Sequence, residues 1–248
     1  MTTLFISDLH LCGERPHINA LFTRFLDEIA RDAEALYILG DLFEYWIGDD
    51  QLDHDPLAQE VASQLANVAG RGTSIFFMHG NRDFLIGERF AKEADLTLLA
   101  DPALIVLGEQ RMLLMHGDTL CTDDVAYQQF RAQVRDPAWQ ADILAKSYAE
   151  RTQLARTMRS RSDVEKSMKA DAIMDVNAAA VAAAFEAHHY PVLMHGHTHR
   201  PARHELTVNG QACTRWVLQD WHSHGGYLSS AGPHNSLSTH SIKGAVAP

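Results

Sequence analysis

Short apolar runs recur along the chain, and each closes on a polar cluster. Leu4-Phe5-Ile6 precedes Asp8, Leu36-Tyr37-Ile38-Leu39 precedes Asp41, and Ile75-Phe76-Phe77-Met78 precedes Asn81. Further along, Met112-Leu113-Leu114-Met115 precedes His116, and Val192-Leu193-Met194 precedes His195-Gly196-His197-Thr198-His199. The runs are of strand length and continuous rather than alternating, as in strands buried on both faces. They predict a sheet covered by helices on two sides. Between several of them apolar residues recur at three and four positions, which predicts helices over Ile18 to Ala30 and Pro56 to Ala69. The fold class is therefore α/β: a layered core with buried sheets flanked by helices. Ligands in such folds collect beyond the carboxyl ends of the strands, so the polar residues after these runs converge on one crevice.

The strand rhythm stops between about Thr122 and His189, where helix formers run almost uninterrupted. Pro137 marks one helix start and Asp175 or Asn177 another. The chain thus divides into a core of residues 1–121 and 190–221 and a helical cap insertion of residues 122–189. Residues 222–248, rich in Ser, Gly and His, are expected to be loosely held. Within the insertion Trp139, Ile143, Leu144, Tyr148, Leu154 and Met158 recur at helical spacing, a stripe that serves either as core or as a ligand surface.

Length and composition agree with one domain carrying an insertion: 248 residues, 46% apolar and 21% charged, lie in the globular range. Cys12, Cys121 and Cys213 have no pairing pattern and read as reduced thiols. No apolar run approaches the roughly 18 residues of a membrane span, and Met1 to Ser7 leads into motif residues instead of a cleavable signal. A protein kept inside the cell is expected. The net charge of −11 disfavours nucleic acid as a partner. Basic residues are nevertheless concentrated from Lys146 to Lys169, seven against three acidic, a local balance of +4.

Asp8-Leu9-His10 places a carboxylate and an imidazole two residues apart, facing one way if the chain stays extended there. His197-Thr198-His199 repeats that spacing with two imidazoles. Gly40, Gly80 and Gly196 beside the polar residues suggest tight turns with unusual backbone angles. Together Asp8, His10, Asp41, Asn81, His116, His197 and His199 offer imidazoles, two carboxylates and an amide oxygen without a thiolate. That mixture suits manganese or ferrous iron better than a tetrahedral structural zinc. Seven ligands exceed the need of one ion; two ions about 3.5–4 Å apart, sharing Asp41, would use them all. Such a pair lowers the pKa of bound water to about neutrality and offsets phosphoryl charge, which predicts hydrolysis of a phosphoester or phosphoanhydride with no side-chain nucleophile.

Asp8-x-His10, Gly40-Asp41, Gly80-Asn81, His116 and Gly196-His197-x-His199 resemble the ordered motif set of the calcineurin-like metallophosphoesterases, and the likeness spans nearly the whole chain. It implies Asp8, His10, Asp41 and His199 on one ion and Asp41, Asn81, His116 and His197 on the other, with His195 structural. Two positions depart from the commoner pattern: Arg82 in Gly80-Asn81-Arg82-Asp83, where many members have His, and Glu44 in Gly40-Asp41-Leu42-Phe43-Glu44, where many have Asp.

With His116-Gly117-Asp118-Thr119-Leu120-Cys121-Thr122-Asp123-Asp124 and His195 to Pro201, these segments are similar to the UDP-2,3-diacylglucosamine diphosphatase branch, which acts in lipid A biosynthesis. That resemblance implies two manganese ions (Mn2+) as cofactors. It implies a UDP-linked diacylated glucosamine as substrate, cleaved to UMP and 2,3-diacylglucosamine 1-phosphate. The location implied is peripheral, at the cytoplasmic face of the inner membrane. Asp41, Asn81, Arg82 and His116 take the catalytic roles, and Asn81, Arg82, Asp124, Ser162, Lys166, Lys169 and His197 bind substrate. The Trp139 to Met158 stripe then lines an acyl channel, and the inner-membrane lipid surface is a partner for the basic segment. No obligatory protein partner is expected. Two other readings stay open on the residues alone: a nucleotide or phosphoprotein as substrate, and a metal-binding scaffold without catalysis.

Overall fold

The computed structural model describes residues 2–168, 175–232 and 235–243, and the side chains of those residues outside 160–168. The first apolar run forms β1 (Thr3–Ile6), followed by α1 (Pro16–Glu28), β2 (Ala35–Leu39), α2 (Pro56–Ala69), β3 (Ser74–Met78), α3 (Glu88–Glu93) and β4 (Thr97–Leu99). Prolines open α1 and α2, and the Asp55 carboxylate accepts the Leu57 N–H at the start of α2. Strands β1 to β4 pair in parallel, with Phe5 opposite Tyr37 and Tyr37 opposite Phe76. A hairpin of β5 (Ala103–Leu107) and β6 (Gln110–Leu114) then starts a second sheet.

Four helices come next, α4 (Val125–Val134), α5 (Pro137–Leu144), α6 (Tyr148–Met168) and α7 (Ala178–Ala187), with no strand among the described residues between β6 and β7 (Val192–His195). Asp136 and Asn177 cap α5 and α7 through backbone N–H groups. The chain ends with β8 (Ala202–Val208), β9 (Gln211–Val217), β10 (His224–Ala231) and β11 (Ser236–Lys243).

The buried sheets expected of the layered core are two in number. Their orders are β11-β10-β1-β2-β3-β4 and β5-β6-β7-β9-β8. Alternate residues of each run enter different cores, which is why the runs are continuous. Leu4, Ile6, Leu36, Ile38 and Phe77 pack with Phe22, Phe25 and Leu65 of the helices over the first sheet. Phe5, Tyr37, Leu39 and Met78 meet Met112, Leu114 and Met194 between the sheets. Leu113 and Leu193 face Val181 and Phe185 of α7. Each fully buried Leu, Ile or Phe contributes roughly 1.5–3 kcal/mol, so the strand ends are fixed by packing on both sides.

The segment expected to be loose supplies β10 and β11. β10 pairs antiparallel with β1, Leu228 opposite Phe5, and with β11 along its length. It is held by main-chain pairing and small residues instead of an apolar run: Trp221 and Gln219 lie against Gly225 and Gly226, where a Cβ would meet them at 3.0 and 2.5 Å.

Of the stripe in the insertion, Ile143 is buried and Trp139 and Leu154 pack against the first core, whereas Leu144 is 44% exposed. The buried Arg151 pins α6 to the loop after β2. It donates to the Ile47 carbonyl (2.6 Å) and pairs with Asp50, and Gly48 leaves room for its guanidinium.

Candidate metal centre

The strand ends deliver their polar residues in a conformation the sequence pattern does not announce. Asp8, His10, Asp41, His197 and His199 all have positive φ, between 52° and 68°. The extended Asp-x-His segment expected from the spacing is therefore absent; the backbone leaves β1 at Ile6 and turns left-handed at both residues. Such angles cost L-residues about 1–3 kcal/mol each and persist only where surrounding contacts over-determine them. Here backbone pairs do so: the His10 N–H donates to the Asp41 carbonyl (2.9 Å), Asp8 to Gly40 (3.1 Å) and Trp221 to Asp8 (3.0 Å).

The glycines serve closeness more than turning. Gly40 does have φ +88°, but Gly80 and Gly196 lack positive φ; a Cβ on Gly80 would lie 2.3 Å from the Asp41 backbone nitrogen, and one on Gly196 2.2 Å from the Asp8 carboxylate.

All seven candidate ligands meet. The His10 and His199 Nε2 atoms are 3.4 Å apart, and an Asp8 oxygen is 3.4 Å from His199 Nε2. Asn81 Oδ1 lies 3.0 Å from His116 Nε2 and 2.9 Å from His197 Nδ1. Asp41 stands between these groups, Oδ2 3.9 Å from His10 Nε2 and Oδ1 4.0 Å from His116 Nε2. Its two oxygens thus face the two clusters. His10, Asp41, Asn81, His197 and His199 line a cavity of about 200 Å3 together with Glu44, Arg82 and Arg159.

Protonation follows from this crowding. Burial opposes the charge of Asp8, yet His199, His116 and His10 hold it well below the usual carboxylate range. Burial keeps His10 low and, with His116 beside it, takes His197 down to about 3, so both imidazoles have free lone pairs. Burial pushes Asp41 up to about 7, helped by Asp83 and Asp8. Burial also works against a charged His116, but Asp41, Asp118 and Asp8 raise it to about 9. Burial thus favours the protonated form of Asp41, and neighbouring carboxylates that of His116; a divalent cation would replace those protons. The orphaned Nδ1 of His10 fits the same conclusion: its nearest carboxylate, Glu44, is 3.6 Å away, where a metal-ligating imidazole would direct its N–H.

Around the cluster lie residues the strand-end rule does not select. Buried Asp83 accepts from Gly80 (2.9 Å) and Leu42 (2.7 Å) N–H groups, fastening the β3 loop to the β2 loop; it stands in the Gly80 to Asp83 motif itself. Asp220 faces His199 Nδ1 at 3.6 Å. Asp118 accepts from the Tyr127 hydroxyl (2.7 Å) and Arg131 (2.8 Å), and the Tyr127 ring leans on His197 with centroids 5.7 Å apart, a helical residue with no motif signal. His195 accepts from Arg215 at Nε2 (2.9 Å) and is set into the core.

Of the expected substrate residues, Asn81, Arg82 and His197 line the cavity, while Asp124 caps α4 by accepting the Tyr127 N–H. Ser162 and Lys166 lie on α6 where side chains fall outside the description, and Lys169 lies outside the described residues.

A family model of calcineurin-like phosphoesterases matches residues 1–201. The chain belongs to that family of metal-dependent hydrolases. It is 54% identical over 235 residues to a protein of Aromatoleum aromaticum, covering 94% of this chain and 95% of that one. It is 53% identical to proteins of Chromohalobacter salexigens, over 89% of each chain, and of Escherichia coli, over 91% and 93%. Each of these relatives is named UDP-2,3-diacylglucosamine hydrolase. No described helix is long and apolar enough to cross a membrane.

Proposed function

We propose that this chain hydrolyses the diphosphate bond of UDP-2,3-diacylglucosamine, giving UMP and 2,3-diacylglucosamine 1-phosphate, a step of lipid A biosynthesis. The observation that carries the reading is identity above one half along nine-tenths of the chain with hydrolases of that name, in a molecule whose seven donor groups cluster together, five of them lining one cavity. Two Mn2+ ions are assigned: one to Asp8, His10, Asp41 and His199, the other to Asp41, Asn81, His116 and His197. When bound, they would lower the pKa of coordinated water to about neutrality and offset charge on phosphoryl oxygens.

The remaining work falls to side chains. Asp83 and the left-handed backbone hold the donors in place, and Arg82, inside the cavity, pairs with anionic phosphate oxygens. Asp124, Ser162, Lys166 and Lys169 are assigned to the sugar and its phosphate. Residues 122–189 are read as the cap, and the exposed Leu144 as part of the acyl path. Water adds to the phosphorus that becomes that of UMP as its bond to the bridging oxygen breaks; the sugar phosphate leaves with that oxygen and the water's proton passes to solvent. The location assigned is the cytoplasmic face of the inner membrane, held by the basic stretch around α6.

The test is direct. Manganese-loaded protein incubated with UDP-2,3-diacylglucosamine in oxygen-18 water should release UMP carrying the label, read by mass spectrometry; absence of UMP overturns the substrate.

A further inference from the structure

Arg159 projects from α6 with its side chain 46% exposed, yet its Nη1 lies 2.7 Å from Oε1 of Glu44, whose side chain is only 9% exposed. The same Glu44 oxygen is 3.6 Å from Arg82 Nη1, and the other faces His10 Nδ1. Glu44 is itself fixed by its N–H, which donates to the Leu11 carbonyl at 3.1 Å. Upstream on the same helix, Arg151 anchors α6 to the core, so Arg159 is delivered by a fixed element rather than a wandering loop. Helix α6 therefore reaches the metal cluster through a buried carboxylate.

We infer that Arg159 is a second phosphate-binding guanidinium beside Arg82, held at the cavity by Glu44, which also orients His10. This rests on the diphosphate reading above. A diphosphate presents negative charge on two phosphorus atoms, and two guanidiniums answer it where a singly charged diester needs less. A guanidinium has five N–H donors, so Arg159 can keep its Glu44 contact and still offer donors to a phosphate.

The experiment compares wild type, Arg159→Gln, Arg159→Lys and Glu44→Gln, all saturated with Mn2+. It uses cleavage of bis(4-nitrophenyl) phosphate, its inhibition by UDP, and the KM for UDP-2,3-diacylglucosamine. Arg159→Gln should raise the UDP inhibition constant about tenfold, the loss of one charge-assisted contact, and the KM similarly, with Lys recovering part of it. The loss should be several times smaller for the singly charged diester. In the Glu44→Gln background the same Arg159 substitution should matter less, because the pair is coupled. Glu44→Gln should also weaken Mn2+ binding about tenfold through His10, measured by titration calorimetry.

Equal UDP inhibition of wild type and Arg159→Gln overturns the arginine's role. An undiminished effect in the Glu44→Gln background, or unchanged Mn2+ affinity, overturns that of Glu44. Wild type that cleaves the small diester but not UDP-2,3-diacylglucosamine sinks the substrate reading alone, since the UDP arm still decides on Arg159.

Discussion

Nε2 of His116 lies 3.0 Å from Oδ1 of Asn81, while its Nδ1 donates to the Leu39 carbonyl at 2.9 Å. Without a metal this ring needs its second proton, since otherwise two lone pairs face each other. Its environment supplies that proton by holding the pKa at about 9. Metal binding must displace it. At pH 7.5, therefore, Mn2+ binding should release protons, and affinity should rise with pH until about 9. Calorimetry in buffers of different ionisation enthalpy reads this; a proton count of zero speaks against His116 as a ligand.

Asp41→Asn should reduce turnover by at least about a hundredfold, more than removal of an outer-shell partner usually costs. The metal-free variant should not be destabilised at neutral pH. Asp41 has its folded pKa raised to about 7, so its stability contribution is present below the unfolded value and lost as pH rises through 7. The amide escapes that loss. Melting curves of metal-free wild type and variant at pH 5 and 8 should diverge in the variant's favour at pH 8; a lower melting point for the variant at pH 8 would be a contrary result.

Gly80→Ala should cost about 1–3 kcal/mol by overpacking and should abolish tight metal binding, because its Cβ meets the backbone of Asp41. Denaturant melts and metal titration check the two effects. Normal metal affinity would show that the loops have slack.

Asp83→Ala leaves the Gly80 and Leu42 N–H groups without their buried acceptor. A loss of about 1–3 kcal/mol per unsatisfied group is expected, partly offset because burial already raises the Asp83 pKa and penalises its charge. Stability unchanged within error would mean that these loops hold without the strut.

The site was far more legible in the sequence than the fold around it. A polar residue placed straight after a doubly buried strand has few structural uses, so Asp8, Asp41, Asn81, His116 and His197 stood out. Asp220 also follows a strand end, yet the rule does not select it, because β9 is too polar upstream to show as an apolar run. Which residue of each run faces which core was not legible, because Phe5 and Ile6 look alike in sequence while they face different cores. β10 rests on main-chain pairing with a strand more than two hundred residues away and carries β11 at its other edge, which leaves no local hydrophobic signal. The left-handed angles of Asp8 and His10 depend on the β2 loop, and Arg159 reads as one charge on a solvated helix until Glu44 is placed beneath it.

The bridging position of Asp41 is tested most directly by manganese stoichiometry with electron paramagnetic resonance. Two Mn2+ per chain with an exchange-coupled spectrum are expected, as for ions about 3.5–4 Å apart. His116→Ala should reduce the count to one and leave an uncoupled signal. A saturated wild-type protein holding a single ion, or two that do not couple, would contradict a shared Asp41 carboxylate.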